Sequence, residues 1–248
     1  MSSFFQPPAF SLVGQTGGDT DIGGGRENQD DYFVWTAPAV PPHNQRAVVL
    51  CVLDGHGRDV GKVAANTARR ALLEYFTASV AELWANPYEC LVKAHTVAHS
   101  AIKESFRIEL ERQGYQISEG QGGYLLKRKP DNTFWSCVHG GSSCSIVAML
   151  GSKCYIANVG DSSGIISACV PGLSPTLIKS VGDSAKGGLN KSDGGTITGV
   201  SRLGPPSETM VITAEHSPES PEEFIRLRDF RCNERDSRVP ALVVVYDR

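Results

Sequence analysis

Ala47-Val48-Val49-Leu50-Cys51-Val52-Leu53-Asp54-Gly55-His56-Gly57 is an apolar run that stops abruptly at a carboxylate, a histidine and two glycines. Its seven apolar residues, rich in β-branched types, read as a buried strand. A carboxylate at the tip of such a strand is presented where the sheet opens to solvent, which is where a metal ligand belongs. The flanking glycines let the backbone turn sharply and bring a carbonyl close to whatever Asp54 binds, while His56 is a side chain whose charge changes near neutral pH. Asp-Gly and His-Gly are also ordinary turn chemistry, so the reading depends on what surrounds them.

Upstream, Gly23-Gly24-Gly25-Arg26-Glu27-Asn28-Gln29-Asp30-Asp31 sets a glycine run, an arginine and several acids before the strand-like Tyr32-Phe33-Val34-Trp35. Downstream, Gly141-Ser142-Ser143-Cys144-Ser145-Ile146-Val147-Ala148-Met149-Leu150 and Cys154-Tyr155-Ile156-Ala157-Asn158-Val159-Gly160-Asp161-Ser162 read as two strands joined by the turn Gly151-Ser152-Lys153. The second strand again ends in a carboxylate.

This order of patches resembles the metal-dependent (PPM, type-2C) protein serine/threonine phosphatases over roughly residues 10 to 225. The resemblance implies that Arg26 binds the substrate phosphate and that Asp30 orders water on the metal. It further implies that Asp54 bridges two Mg or Mn ions, that the Gly55 carbonyl ligates one of them, that His56 is the general acid, and that Asp161 helps hold a third, weaker ion. Val211-Ile212-Thr213-Ala214-Glu215-His216-Ser217-Pro218 is similar to the family's Thr-x-x-His-x-Pro segment, with Glu215 where an aspartate is usual. Gln29 stands where many relatives carry glutamate, and Ser163 where an arginine is common. The fold implied is a four-layer α/β/β/α sandwich of two antiparallel sheets flanked by helices, and the partner implied is a phosphorylated protein substrate.

The residue chemistry agrees with that function on its own terms. Hydrolysis of a phosphate monoester needs an acidified water, a charge clamp on the phosphoryl oxygens and an acid for the departing alkoxide. Two hard cations about 3.5 to 4 Å apart supply the first, and oxygen ligands are what Mg and Mn prefer. Asp54 and Asp161 are such ligands, and the planar fork of Arg26 grips phosphate at two points. An arginine in this position also has a plainer use, pairing with Glu27 or another neighbouring acid. Asn158 and Asp161 similarly suit a simple turn, and His56 a strand end with its ring in solvent.

Two further aspartates of the family pattern, one in Asp-Gly-x-x-Asp and one in an Asp-Asn pair, are not found in their expected order. Ser192-Asp193-Gly194-Gly195 and Asp131-Asn132 spell similar dipeptides, but both sit out of sequence and read as turn chemistry. A bridging carboxylate with one carbonyl is a meagre cage for two divalent ions. The expectation is therefore little phosphatase activity from this chain unaided, as an N-terminal portion of a phosphatase domain incomplete at its C-terminus. The alternative is a complete, non-catalytic phosphatase-like module that recognises a phosphorylated or docking partner.

The 248 residues carry a net charge of -3, which suits one globular domain spanning 1–248. A mildly acidic isoelectric point near 6.1 argues against nucleic acid or an acidic membrane as partner. The longest apolar run, seven residues, is far too short to span a bilayer. Seven cysteines, an odd number without a C-x-x-C pair, read as reduced thiols, hence a cytoplasmic or nuclear protein.

Strands are expected near 10–16, 31–37, 47–53, 144–150, 154–160, 163–168, 209–214 and 241–246, with helices at Val60 to Phe76 and Pro87 to Gln113. Hairpins without crossover helices predict antiparallel pairing, giving an α+β chain. Residues 119–130 read as a flexible surface insertion or hairpin. Cys232 and Arg238 match the C-x5-R spacing of cysteine-dependent phosphatases, but two acids in the intervening loop would repel phosphate. His95 and His99 lie four apart on a helix, a spacing better explained by packing or solvation than by a shared metal.

Overall fold

The computed structural model describes residues 16–24, 26–39, 45–57, 60–120, 123–167, 209–217 and 220–229. The strand expected at 241–246, nearly all of that at 10–16, the 192–195 segment and the C-x5-R stretch lie outside them. The fold is α+β, with antiparallel sheets and helices.

Strands β1 (Asp31–Thr36), β2 (Ala47–Leu53), β8 (Cys144–Leu150) and β9 (Lys153–Val159) form a four-stranded sheet in the order β1-β2-β8-β9, antiparallel throughout. In β2 and β8 every second residue is buried. That alternation, set by the two-residue period of a strand, directs Val49, Cys51, Leu53, Ile146 and Ala148 to one face. On the opposite face Val52 is 52% exposed. Two of these strands begin or end beside a site residue, so register matters: a slip of one residue would turn the apolar set outward.

Helices α1 (Gly61–Ala78) and α3 (Pro87–Arg112) cover the apolar face. Ala64, Ala65, Ala68, Leu72 and Phe76 recur at helical spacing along α1, and the alanines bring it close to its neighbours. Thr67 Oγ1 donates to Ser105 Oγ at 3.0 Å between the two helices. Pro87 opens α3, and the Asn86 side chain accepts from the Glu89 N–H. A six-residue helix, α2 (Val80–Ala85), joins them and was not expected from periodicity. Leu83 anchors it in the core.

The 119–130 segment is a hairpin within a three-stranded sheet: β4 (Gln116–Glu119), β5 (Leu125–Arg128) and β6 (Ser136–Cys137). Leu125 packs with Phe106 and Leu110 of α3, with Tyr115 and Ile117 beside them. Three further pairings or elements complete the description. β3 (Gly55–His56) pairs with β7 (Gly141–Ser142), β10 (Ile165–Ser167) pairs with β11 (Thr209–Val211), and α4 covers Pro221–Asp229. β10 and β11 are shorter than the strands expected there, and the backbone beyond β11 is taken up by loop contacts described below. No helix among the described residues is long and apolar enough to cross a membrane.

Candidate functional site

Strand pairing brings the sequence-distant acids to one end of the main sheet. Asp31 lies opposite Leu53, so the next residues outward are Asp30 on one strand and Asp54 on the other. Cys144 lies opposite Val159, which carries Ser143 and the Gly160-Asp161 turn to the same end. β2 and β8 are neighbours, and Ser143 and Asp54 lock together there. The Ser143 N–H donates to the Asp54 carbonyl at 2.8 Å, and the Asp54 N–H donates to Ser143 Oγ at 3.2 Å. Ser143 Oγ also meets Ser162 Oγ at 2.5 Å, tying the β8 end to the residue after Asp161.

The Gly55-His56-Gly57 turn is built for close backbone approach. A Cβ on Gly55 would stand 2.3 Å from the Gln29 carbonyl oxygen and 2.6 Å from that of Gly61. Both obstacles are main chain, so neither can swing away. Gly57 has φ +115° and lies against Gly140, itself at φ +138°. The two-residue β3–β7 ladder holds His56 opposite Gly141, leaving the histidine residue exposed. Gln29 completes the clamp: its amide donates to the Gly57 carbonyl at 3.1 Å, and its Oε1 packs where Gly61 has no side chain. A glutamate could not make that donation when ionised.

A cleft of ≈ 890 Å³ opens beside this turn, lined in part by Arg26, Asp30, Gly55 and Gly57. Glu27 is taken by Lys62, whose Nζ lies 2.9 Å from its carboxylate. Arg26 is therefore not held by its sequence neighbour, and it makes no hydrogen bond or ion pair among the described residues. Asn158 does close the turn after β9, donating to the Gly160 carbonyl at 3.2 Å and to the Ala214 carbonyl at 2.7 Å. Asp161 takes no part in those bonds.

The Thr-x-x-His stretch is fastened to the same turn. Thr213 Oγ1 accepts from the Gly164 N–H at 2.8 Å, and His216 Nδ1 accepts from the Gly160 N–H at 3.3 Å. The His216 N–H returns a bond to the Gly160 carbonyl at 3.0 Å. Its work here is to brace the Asp161 turn. Ser143, Gln29 and His216 thus support the site through contacts between distant segments, which no local pattern in the sequence announces. His95 and His99 do not come together on a metal: both ring nitrogens of His95 face backbone carbonyls, and His99 is exposed.

Electrostatics single out Asp54. Partial burial raises the pKa of its carboxyl, the Asp30 charge and a hydrogen bond with Asp30 raise it further, and Asp161 adds to the effect. His56 acts in the opposite direction. Among the described residues no group of three or more His, Cys, Asp or Glu side chains is placed to hold a metal ion. The donor types are still those a hard divalent ion takes, carboxylate oxygen from Asp54 and its neighbour Asp30 and a carbonyl from Gly55, beside a cleft open to water. Like charges held within mutual reach are stabilised by a cation placed among them.

Searches of the chain against protein-family models and against curated proteins return no match.

Proposed function

We propose that this chain carries the site of a metal-dependent protein serine/threonine phosphatase of the PPM, type-2C kind. One observation carries the reading: partial burial, Asp30 and Asp161, the two acids coming from separate segments, all raise the cost of ionising Asp54 at a sheet end that also presents His56 and borders the cleft of Arg26. In this reading Asp54 and Asp161 hold Mg or Mn, with the Gly55 carbonyl as a further ligand. Such ions, when bound, acidify water and offset charge on the phosphoryl oxygens. Arg26 orients the phosphate from across the cleft through its planar guanidinium. Asp30 positions the water for attack, and His56 delivers a proton to the leaving serine or threonine oxygen. A phosphorylated protein is the substrate class, and the free thiols of Cys51, Cys90, Cys137, Cys144 and Cys154 suit a cytoplasmic or nuclear setting.

Calorimetric titration of Mn into the chain and into Asp54→Ala tests the reading. The parent is expected to bind and the variant to bind at least about tenfold more weakly, which corresponds to about 1.4 kcal/mol. Binding that survives the substitution removes Asp54 from the metal site. Mn-dependent hydrolysis of a phosphothreonine peptide is expected to be slow. Mn binding with no turnover at all would favour the phosphatase-like recognition module instead.

A further inference from the structure

Beneath the carboxylate cluster, on the helix-covered face of the main sheet, lies a second group of reactive side chains. Cys51 of β2 and Cys144 of β8 face each other with their sulfurs 3.9 Å apart, and both residues are buried. His95 of α3 lies beside Cys144. Its Nδ1 lies 3.0 Å from the Leu91 carbonyl and its Nε2 3.3 Å from the Cys144 carbonyl. A carbonyl oxygen accepts and never donates, so both contacts are hydrogen bonds only if both ring nitrogens carry protons. Donation by both nitrogens at once would make the ring an imidazolium, and a buried cation calls for an anion. The acid within reach is the Cys144 thiol.

The pair divides its roles. Cys51 S–H and His95 stabilise a Cys144 thiolate and hold that thiol below its ordinary range despite burial. The bond to Cys144 and burial keep Cys51 protonated, and Asp31 adds to that effect from β1. On the other side, the Cys144 sulfur and the two carbonyls outweigh burial and raise His95 to about 9. A protein with only packing thiols here would have no use for a doubly bonded histidine beside them. Cys144 retains 7% of its surface and Cys51 2%, so a bulky reagent is excluded and only a small one is a candidate to reach the pair.

We infer that Cys51, Cys144 and His95 form a peroxide-reactive dithiol, a modification site distinct from the carboxylate cluster and independent of its proposed activity. The Cys144 thiolate attacks one oxygen of a hydroperoxide such as hydrogen peroxide; the S–O bond forms, the O–O bond breaks, and the leaving hydroxide takes a proton from His95. The Cys51 sulfur then displaces hydroxide from the Cys144 sulfenic acid, forming the S–S bond, and the Cys51 proton leaves with that hydroxide as water. Two thiols are oxidised by two electrons and the peroxide is reduced to two waters. Cys51 lies opposite Ile146, so Cys144, two residues earlier at the start of β8, is its diagonal neighbour. Closing the gap to the about 2.05 Å of a disulfide must draw β2 and β8 together at the end bearing Asp54 and Ser143.

Oxidation of the intact chain with hydrogen peroxide, followed by peptide mapping, tests the inference. A peptide joining Cys51 to Cys144, lighter by two hydrogens, should appear before oxidation of the exposed Cys137 and Cys154. His95→Gln should slow its formation about five- to tenfold at pH 7, because the lost thiolate outweighs the gain in intrinsic nucleophilicity. In the parent chain the rate should be nearly flat from about pH 7 to 8.5, where an ordinary thiol accelerates close to tenfold per unit. Oxidation confined to Cys137 and Cys154, or a parent rate that climbs tenfold per unit, would overturn the inference whether or not the variant folds.

Discussion

Glu119 and Asp54 are carboxylates in opposite circumstances. Glu119, in β4, receives Lys103 Nζ at 2.6 Å and Arg107 Nη2 at 2.7 Å, and these cations lower its pKa. Asp54, at the end of β2, is partly buried and meets Asp30 and Asp161 instead, and its pKa is raised. In the small sheet the chain supplies its own counter-charge; at the strand ends it assembles repulsion. In the function proposed above, a metal ion would offset that repulsion, whereas the Glu119 pairs need nothing further. Exposed pairs of the second kind contribute little to stability, so their presence does not mark function.

The sharpest way to break this comparison is Gly55→Ala. Its methyl group would enter backbone on two sides, so a loss of about 2–3 kcal/mol is expected, with Mn affinity lost alongside. Chemical denaturation reads the first and calorimetry the second. Wild-type stability with intact Mn uptake would show that the turn is not the close-packed cradle described above.

A smaller effect, opposite in sign, is expected of Asp54→Asn measured in chelator. A raised folded-state pKa means that the native state holds the proton more tightly than the unfolded chain. The advantage is complete below the ordinary carboxylate range and is lost as pH rises through the raised value. At pH 7 the parent therefore carries the full repulsion, and the asparagine variant should melt higher by about 1–2 °C, after allowance for solvent screening. The gain should fade as the pH falls below the carboxylate range. A lower melting temperature at pH 7 would mean that the Asp54 charge is compensated after all.

The smallest change belongs to Glu119→Gln, which should lower the melting temperature by about 1 °C or less. Here the folded-state pKa is depressed, so the contribution is present above the ordinary carboxylate range and disappears as pH falls through the folded value. Salt should erase the difference, since the pairs are exposed. Mn binding should not change. Altered Mn binding in this variant would join two regions that the fold keeps electrostatically apart.

Local pattern announces some of this structure and conceals the rest. β2, β8 and β9 are legible because long apolar runs leave few other conformations, and the acids at their ends are legible because a strand that stops at an aspartate places it at a sheet edge. α1 and α3 follow from helical spacing. The β3–β7 ladder is two residues a side, below what any periodicity registers, and is held by glycine backbones meeting across 85 residues of sequence, from His56 to Gly141. β4 to β6 lack strong alternation and take their stability from Leu125, Tyr115 and Ile117 packing against α3. Ser143, Gln29 and the Cys51–Cys144–His95 group are fixed by long-range contacts and are invisible until the sheet is assembled.

The tryptophans are distributed in a way that is useful at the bench. Trp135 lies beside the small sheet with the Arg128 guanidinium 4.7 Å from its ring centre and keeps 40% of its surface, while Trp35 packs against Phe76 and Trp84 packs against the same main core. Iodide should quench the first indole readily, drawn in by the adjacent cation, and reach the other two poorly. Emission from a single sample can therefore follow the fate of the small β-meander separately from that of the principal body.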